Sequence, residues 1–249
     1  MRVTSPLARP PGFFKRSWIE LKRRATIAYT LEGLHEPTTP YHLVNFSNPD
    51  TVEVCKRMSD KDTGGFSEVN LDHVPASKGA PAHARFHGTI STELPKDSMK
   101  IMRTGYAGWR TLDPRPTLFG RSLFDIDPYR YLALRIKSDG RKYFVNLQTD
   151  SIVPTDLHQH RLYARTPGKW ETVLINFEEF VRTNHGMRVQ PEGEMLRQKV
   201  RTVGISLTDR LPGPYELCIS QIYATNNEPE QRDIERARRT DSAEKQSED

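Results

Sequence analysis

The stretch from Tyr131 to Thr149, YLALRIKSDGRKYFVNLQT, constrains the fold more than any other part of the chain. Apolar and polar side chains alternate on both sides of Ser138-Asp139-Gly140-Arg141. That period of two fits strands with one buried face and fits no helix. Asp-Gly supplies the positive φ of a tight reversal, so the segment reads as a β-hairpin. Strand-length runs recur at 41–46, 66–74, 83–90, 105–112, 170–177, 200–207 and 215–225. Loops rich in Gly and Pro separate them at 75–81, 114–120 and 210–214, and a polar connector leads from the first strand to Gly65. A short helical turn is expected at 178–181. Leu132, Leu134 and Ile136 fall at alternate positions, as do Val173, Ile175 and Phe177, which places one face of each strand between two sheets. The pattern predicts an all-β protein, a sandwich or jelly roll of two antiparallel sheets.

The ends differ from this middle. Residues 13–34 lack proline, and Phe14, Trp18, Leu21 and Ala25 fall at helical spacing with Arg16, Lys22 and Arg23 off the stripe. This is a basic amphipathic helix, suited to dock on its own domain, on a partner or on an anionic membrane surface. The candidate partner or membrane contacts are Phe13, Phe14, Arg16, Trp18, Lys22 and Arg23, with Arg115 and Arg121 in the proline-marked loop. Within residues 1–30 seven basic residues face one acid, Glu20. Such an Arg-rich, acid-poor start is similar to a mitochondrial import signal, here interrupted by Pro10-Pro11. The formal net charge of +5 is concentrated there rather than spread over a folded surface, so nucleic acid is not an expected partner. The chain thus divides into a basic segment 1–40 with a helix, a sandwich over 41–226 and a charged tail over 227–249. No apolar run approaches the roughly 20 residues that span a bilayer.

Signatures of chemistry are sparse. There is no nucleophile elbow, phosphate-binding glycine loop or dinucleotide fingerprint. The run Asp60-Lys61-Asp62-Thr63-Gly64-Gly65 opens like a calcium loop, but Gly64 stands at a ligand position and Leu71 where a bidentate glutamate is needed. A turn whose Asp side chains accept nearby N–H groups is the expectation. His83 and His87 share one side of a strand, as do His158 and His160, without a Cys or carboxylate at ligand spacing. They are expected to face solvent, and no metal, cofactor or catalytic residue is assigned. Cys55 and Cys218 form no paired motif, which suits a reducing compartment, and Cys218 reads as a small buried hydrophobe. Two rival readings stand beside a docking protein. One is a carbohydrate-binding module whose ligand face uses Trp109 or Tyr131. The other is a hydrolase built on Asp60, Asp62 and Asp139.

Six segments carry a further signal when taken in order: SDKDTGGFSEVNL (59–71), ARFHGTIS (84–91), GYAGWRTL (105–112), YRYLALRIKSDGRKYFVNLQTD (129–150), GKWETVLINFEEF (168–180) and VRTVGISLTDRLPGPYELCISQIYA (200–224). Together they resemble the complex I intermediate-associated thirty-kilodalton protein family over residues 41–226. The resemblance implies a galactose-binding-like jelly roll akin to carbohydrate-binding modules. It implies a non-enzymatic assembly factor of the mitochondrial matrix, associated with the inner membrane, that holds an early membrane-arm intermediate of NADH:ubiquinone oxidoreductase. The partners it implies are membrane-arm subunits and other assembly factors. It supplies no cofactor and no site residues to carry over.

Overall fold

The computed structural model describes residues 12–30, 37–94, 104–190 and 193–227. Helix α1 (Phe13–Thr30) precedes strand β1 (Tyr41–Asn45), a one-turn helix α2 (Asp50–Glu53) and strands β2 (Cys55–Ser59), β3 (Glu68–Val74), β4 (His83–Ile90) and β5 (Ala107–Thr111). A miniature pair, β6 (Pro116–Thr117) and β7 (Gly120–Arg121), leads to β8 (Tyr131–Ser138), β9 (Tyr143–Thr149), β10 (Asp156–Arg161) and β11 (Trp170–Asn176). The chain closes with β12 (Val181–Asn184), β13 (Met187–Arg188), β14 (Val200–Leu207) and β15 (Gly213–Thr225). One six-stranded sheet runs β11-β8-β15-β4-β3, with β1 also on β15, and one seven-stranded sheet runs β13-β12-β10-β9-β14-β5-β2. All pairings between these strands are antiparallel.

The alternating runs bury their apolar faces between the sheets. Leu132, Leu134, Ile136 and Ile175 come from the first sheet, and Trp109, Tyr143, Leu147 and Ile205 from the second, each with under 2% of its surface exposed. Full burial of such side chains contributes about 1.5–3 kcal/mol each, enough for this core to dictate the register. Gly204 marks where β14 and β5 press closest, since a Cβ there would lie 2.3 Å from the Trp109 carbonyl oxygen.

The segment 131–149 is not a hairpin. β8 pairs with β11 and β15, whereas β9 pairs with β10 and β14, so the chain leaves one sheet at Ser138 and enters the other at Tyr143. Gly140 has the positive φ that Asp-Gly led one to expect, 91°, but the reversal arches across the core. Leu134 and Val145 therefore sit on facing sheets. The physical reason lies at the arch. Asp139 accepts the Tyr143 hydroxyl (3.0 Å) and the Glu216 N–H (2.8 Å), tying the turn to β15 instead of closing a ladder between its own arms.

Three strands had no alternating apolar signal. β2 (CKRMS), β10 (DLHQHR) and β12 (VRTN) are polar yet pair along their lengths. β2 is an edge strand and β12 lies next to the edge, and there the strands bury little: one side chain of β2 and none of β12. The helical turn expected at 178–181 is a single 3-10 turn, Phe177–Glu179, and the residues after it form β12. The loop 114–120 holds the β6–β7 pair. Helix α1 is described to Thr30. The remainder of its expected span and the tail beyond Asn227 lie outside the described residues.

Candidate functional site: an outward-facing apolar helix

The feature that sets this molecule apart is how α1 is attached. Ser17 and Glu20, three residues apart and so on one side of the helix, are the most buried of its described side chains, at 3% and 2% exposure. The Leu118 N–H donates to Ser17 Oγ at 3.0 Å, and Ser122 Oγ donates to Glu20 Oε2 at 2.8 Å. Arg23 grips the same carboxylate through both Nε (3.2 Å) and Nη2 (2.9 Å), and Arg24 Nε adds a bond of 3.0 Å. Arg16 donates to the Pro116 carbonyl and Arg24 to that of Phe119. The base of the clasp is the β6–β7 pair, closed by Thr117 Oγ1 donating to the Gly120 carbonyl at 2.7 Å.

Burial pushes the Glu20 pKa upward, but donation from Arg23, Ser122 and Arg24 outweighs it and holds the group at about 2. The carboxylate is thus charged throughout the physiological range. Arg23 also lies beside the Tyr41 hydroxyl and within charge range of Asp125, which ties the clasp to the start of β1.

The consequence is an inverted amphipath. The polar side of α1 faces the body of the protein and the apolar stripe faces away. Phe14 is 80% exposed, Trp18 58% and Leu21 40%, and beside them Leu118 at the tip of β6–β7 is 64% exposed. The Lys22 ammonium lies 5.6 Å over the Trp18 ring, and the Arg24 guanidinium 5.5 Å over that of Phe119.

The sequence-level candidates fall as follows. Phe13, Phe14, Trp18 and Lys22 are exposed on α1, Arg16 and Arg23 are half-buried in the clasp, and Arg115 and Arg121 are exposed on the adjoining segment. The structure brings all eight to one region. Glu20 was not among them. Its signal in the sequence was being the lone acid on a basic helix, three and four residues before Arg23 and Arg24.

Trp109 requires a correction. It is fully buried, with its ring 5.5 Å edge-on from Phe46, and offers no face to a sugar. Tyr131 is half-buried on β8 in the other sheet, so the two form no joint platform.

Two of the three carboxylates of the hydrolase reading, Asp60 and Asp139, are engaged in structure, whereas Asp62 is exposed at the cleft. Asp60 accepts the Ser67 N–H (2.9 Å), the Ser67 hydroxyl (2.8 Å) and the N–H groups of Gly105 (2.6 Å) and Tyr106 (3.3 Å). It forms the floor of an open cleft of about 420 Å³ whose lining includes Lys56, Asp62, Tyr106 and Arg210. Asp139 holds the arch described above, and beside it Arg141 pairs with Asp209 at 2.7 Å. No group of three or more potential metal ligands occurs among the described residues.

Three of the four strand histidines depart from expectation, while His87 stays on the outer face of β4. His83 is buried against Trp170, with ring centres 5.1 Å apart, and its Nδ1 lies 2.7 Å from the Pro81 carbonyl oxygen. His87 pairs with Asp72 at 2.6 Å. His158 and His160 pair with Leu147 and Val145, whose side chains face the core, so they point inward rather than to solvent. Burial pulls the His158 pKa down and keeps the ring neutral. Burial pushes the Cys55 thiol up to about 12 and Cys218 up to about 11, the latter helped by Glu216.

Comparison with known proteins bears on what such a surface serves. A family model described as complex I intermediate-associated protein 30 matches residues 44–219. A Neurospora crassa protein named "Complex I intermediate-associated protein 30, mitochondrial" is 50% identical over 245 residues, covering 91% of this chain and 88% of its own length. Proteins of the same name from Drosophila melanogaster and Mus musculus are each 28% identical, over 72% and 66% of this chain. The matches span 60% and 49% of those two animal relatives, which are longer. Among solved structures, a family 11 carbohydrate-binding module from Clostridium thermocellum, in complex with a mixed-linked tetrasaccharide, is similar with a TM-score of 0.51. Its identity is 15%, over 76% of this chain and 97% of the module. A second family 11 module gives 0.53 at 13% identity, over 77% of this chain and 96% of its own. Identities this low establish the shared β-sandwich and nothing about the ligand.

Proposed function

The chain belongs to the complex I intermediate-associated protein 30 family, and from that premise we propose that it is an assembly factor for respiratory complex I in mitochondria. It acts as a scaffold, not a catalyst. It works on the matrix face of the inner membrane, where it holds an early membrane-arm intermediate together with other assembly factors. The sandwich over 41–226 is the rigid body, segment 1–40 the docking arm and 227–249 a charged tail.

One observation carries the reading: the largest outward apolar side chains of α1 are displayed on a helix locked by its polar side. Such a surface suits docking and offers a small molecule no enclosure. The engagement of Asp60 and Asp139 by N–H and O–H donors supports a body without a reaction centre.

The test is to purify the protein gently from mitochondria and fractionate the eluate on native gels. Membrane-arm subunits and assembly factors should accompany it in an intermediate smaller than the finished enzyme. Recovery of the protein without any respiratory-chain subunit or assembly factor would refute the reading.

A further inference from the structure

We infer that the outward face of α1, with the β6–β7 tip beside it, seats in the interfacial region of an anionic phospholipid bilayer. The inference rests on the reading of the protein as a factor working at a mitochondrial membrane, and it names what that surface meets there.

The first argument is orientation. An amphipathic helix at the edge of a domain ordinarily hides its apolar stripe against that domain. Here Ser17 and Glu20 occupy the contact, so Phe14, Trp18 and Leu21 stay outside whether or not anything covers them. The clasp also fixes Leu118 next to the helix and widens the apolar surface beyond one stripe.

The second argument is charge. Helix α1 and the segment 114–122 contain a single carboxylate between them, Glu20, and it is buried and neutralised. Lys15, Lys22, Arg115 and Arg121 are exposed around the apolar side chains, and none of the four is paired with a carboxylate among the described residues. Within these two segments the border is cationic and carries no exposed acid, although Asp125 beyond them lies within charge range of Arg23, and such a border complements phosphate headgroups. Tryptophan and phenylalanine at the helix start suit the headgroup boundary, where an aromatic body is buried and its edge stays wet.

The third argument is depth. No described helix is long and apolar enough to cross a membrane, and Phe14, Trp18 and Leu21 run along one side of α1, so in this arrangement α1 lies in the interface plane with its axis parallel to the surface. The sandwich then stands on the membrane on its α1 side.

The experiment uses the full purified chain and two vesicle preparations, phosphatidylcholine alone and phosphatidylcholine mixed with phosphatidylglycerol. Co-sedimentation is expected with the anionic vesicles, weaker by roughly tenfold with the neutral ones, and reduced by added salt. Trp18 emission should shift to the blue on binding. The wild-type minus Trp18→Phe difference isolates this signal from Trp109 and Trp170. The double variant Phe14→Ser/Trp18→Ser should keep the wild-type melting temperature and lose sedimentation. Lys15→Gln/Lys22→Gln should lose the preference for anionic vesicles. The inference is overturned if the wild-type chain stays in the supernatant with anionic vesicles, or if the Phe14→Ser/Trp18→Ser variant sediments as well as wild type. Should the wild type ignore vesicles while the same variant loses respiratory-chain partners in a mitochondrial pull-down, the surface docks protein. The lipid assignment then falls and the assembly reading stands.

Discussion

Asp60 shows how one residue can resemble a ligand and serve as a strut. Its two oxygens gather donors from Ser67, Gly105 and Tyr106, joining the turn after β2 to the segments that begin β3 and β5. Replacing it with Ala would strand three backbone N–H groups, each costing about 1–3 kcal/mol where water cannot reach. We expect Asp60→Ala to destabilise the protein by about 3 kcal/mol or more, a fall in melting temperature of roughly 6–12 °C for a domain of this size. Scanning calorimetry with calcium or a chelator present should show no shift in the wild type. A calcium-dependent rise would mean the carboxylates coordinate metal after all. The sequence made the turn and its N–H acceptance legible because Asp-x-Asp-x-Gly is local chemistry. The partners at 105 and 106 were not legible, being 45 and 46 residues away. The two thiols offer a second residue-level check. Burial pushes Cys55 up to about 12 and Cys218 up to about 11. Near pH 8 both should react with Ellman's reagent only after denaturant is added, and rapid labelling of the folded protein would contradict their placement.

At the scale of elements, the periodicity of 131–149 correctly gave two strands and a positive-φ glycine, yet could not say whether those strands pair with each other. Alternation reports only that one face is buried. A hairpin and an arch between facing sheets bury the same residues, and what decides is the tie from Asp139 to Glu216, 77 residues away. The helix poses the converse problem. Its apolar stripe was legible, but a stripe does not reveal which side a domain will hold. Glu20 decides that, and it makes the docking pH-dependent. Its folded pKa, about 2, lies below that of a free glutamate, so ionisation favours the docked state. That contribution is complete above the unfolded value near 4 and drains away as the pH falls toward 2. Over that span the difference between the two protonation states is on the order of 3 kcal/mol. Hydrogen exchange should therefore show α1 amides opening between pH 4 and 2 before the strands do, and Glu20→Gln should move that opening to neutral pH. Protection of α1 that persists unchanged in Glu20→Gln would show that something other than this clasp holds the helix.

For the molecule as a whole, stability and docking sit in different places, and the two can be separated. The apolar core belongs to the facing sheets: Phe46, Trp109, Leu134, Tyr143 and Ile205 are fully buried there, and none of the described side chains of α1, residues 13–26, joins them. The contact that holds α1 is charged and hydrogen-bonded. Part of its Coulomb energy offsets the desolvation of the buried carboxylate, so its net contribution is small, about 1–2 kcal/mol. A chain beginning at Pro37 keeps the strands, and it keeps the bonds that close the sandwich near its ends, such as Asn226 Nδ2 to the Pro37 and Pro128 carbonyls. We expect it to unfold in one cooperative transition within about 8 °C of the full chain and to have lost vesicle binding. The contrast is Trp109→Ala, which empties the centre of the core and should cost about 3–5 kcal/mol while leaving the docking surface intact wherever the protein remains folded. Calorimetry and sedimentation on the same three samples decide the matter. A truncated chain that aggregates or melts without cooperativity would mean that α1 is a structural layer of the sandwich, and its exposed aromatics would then need an account from folding rather than from docking.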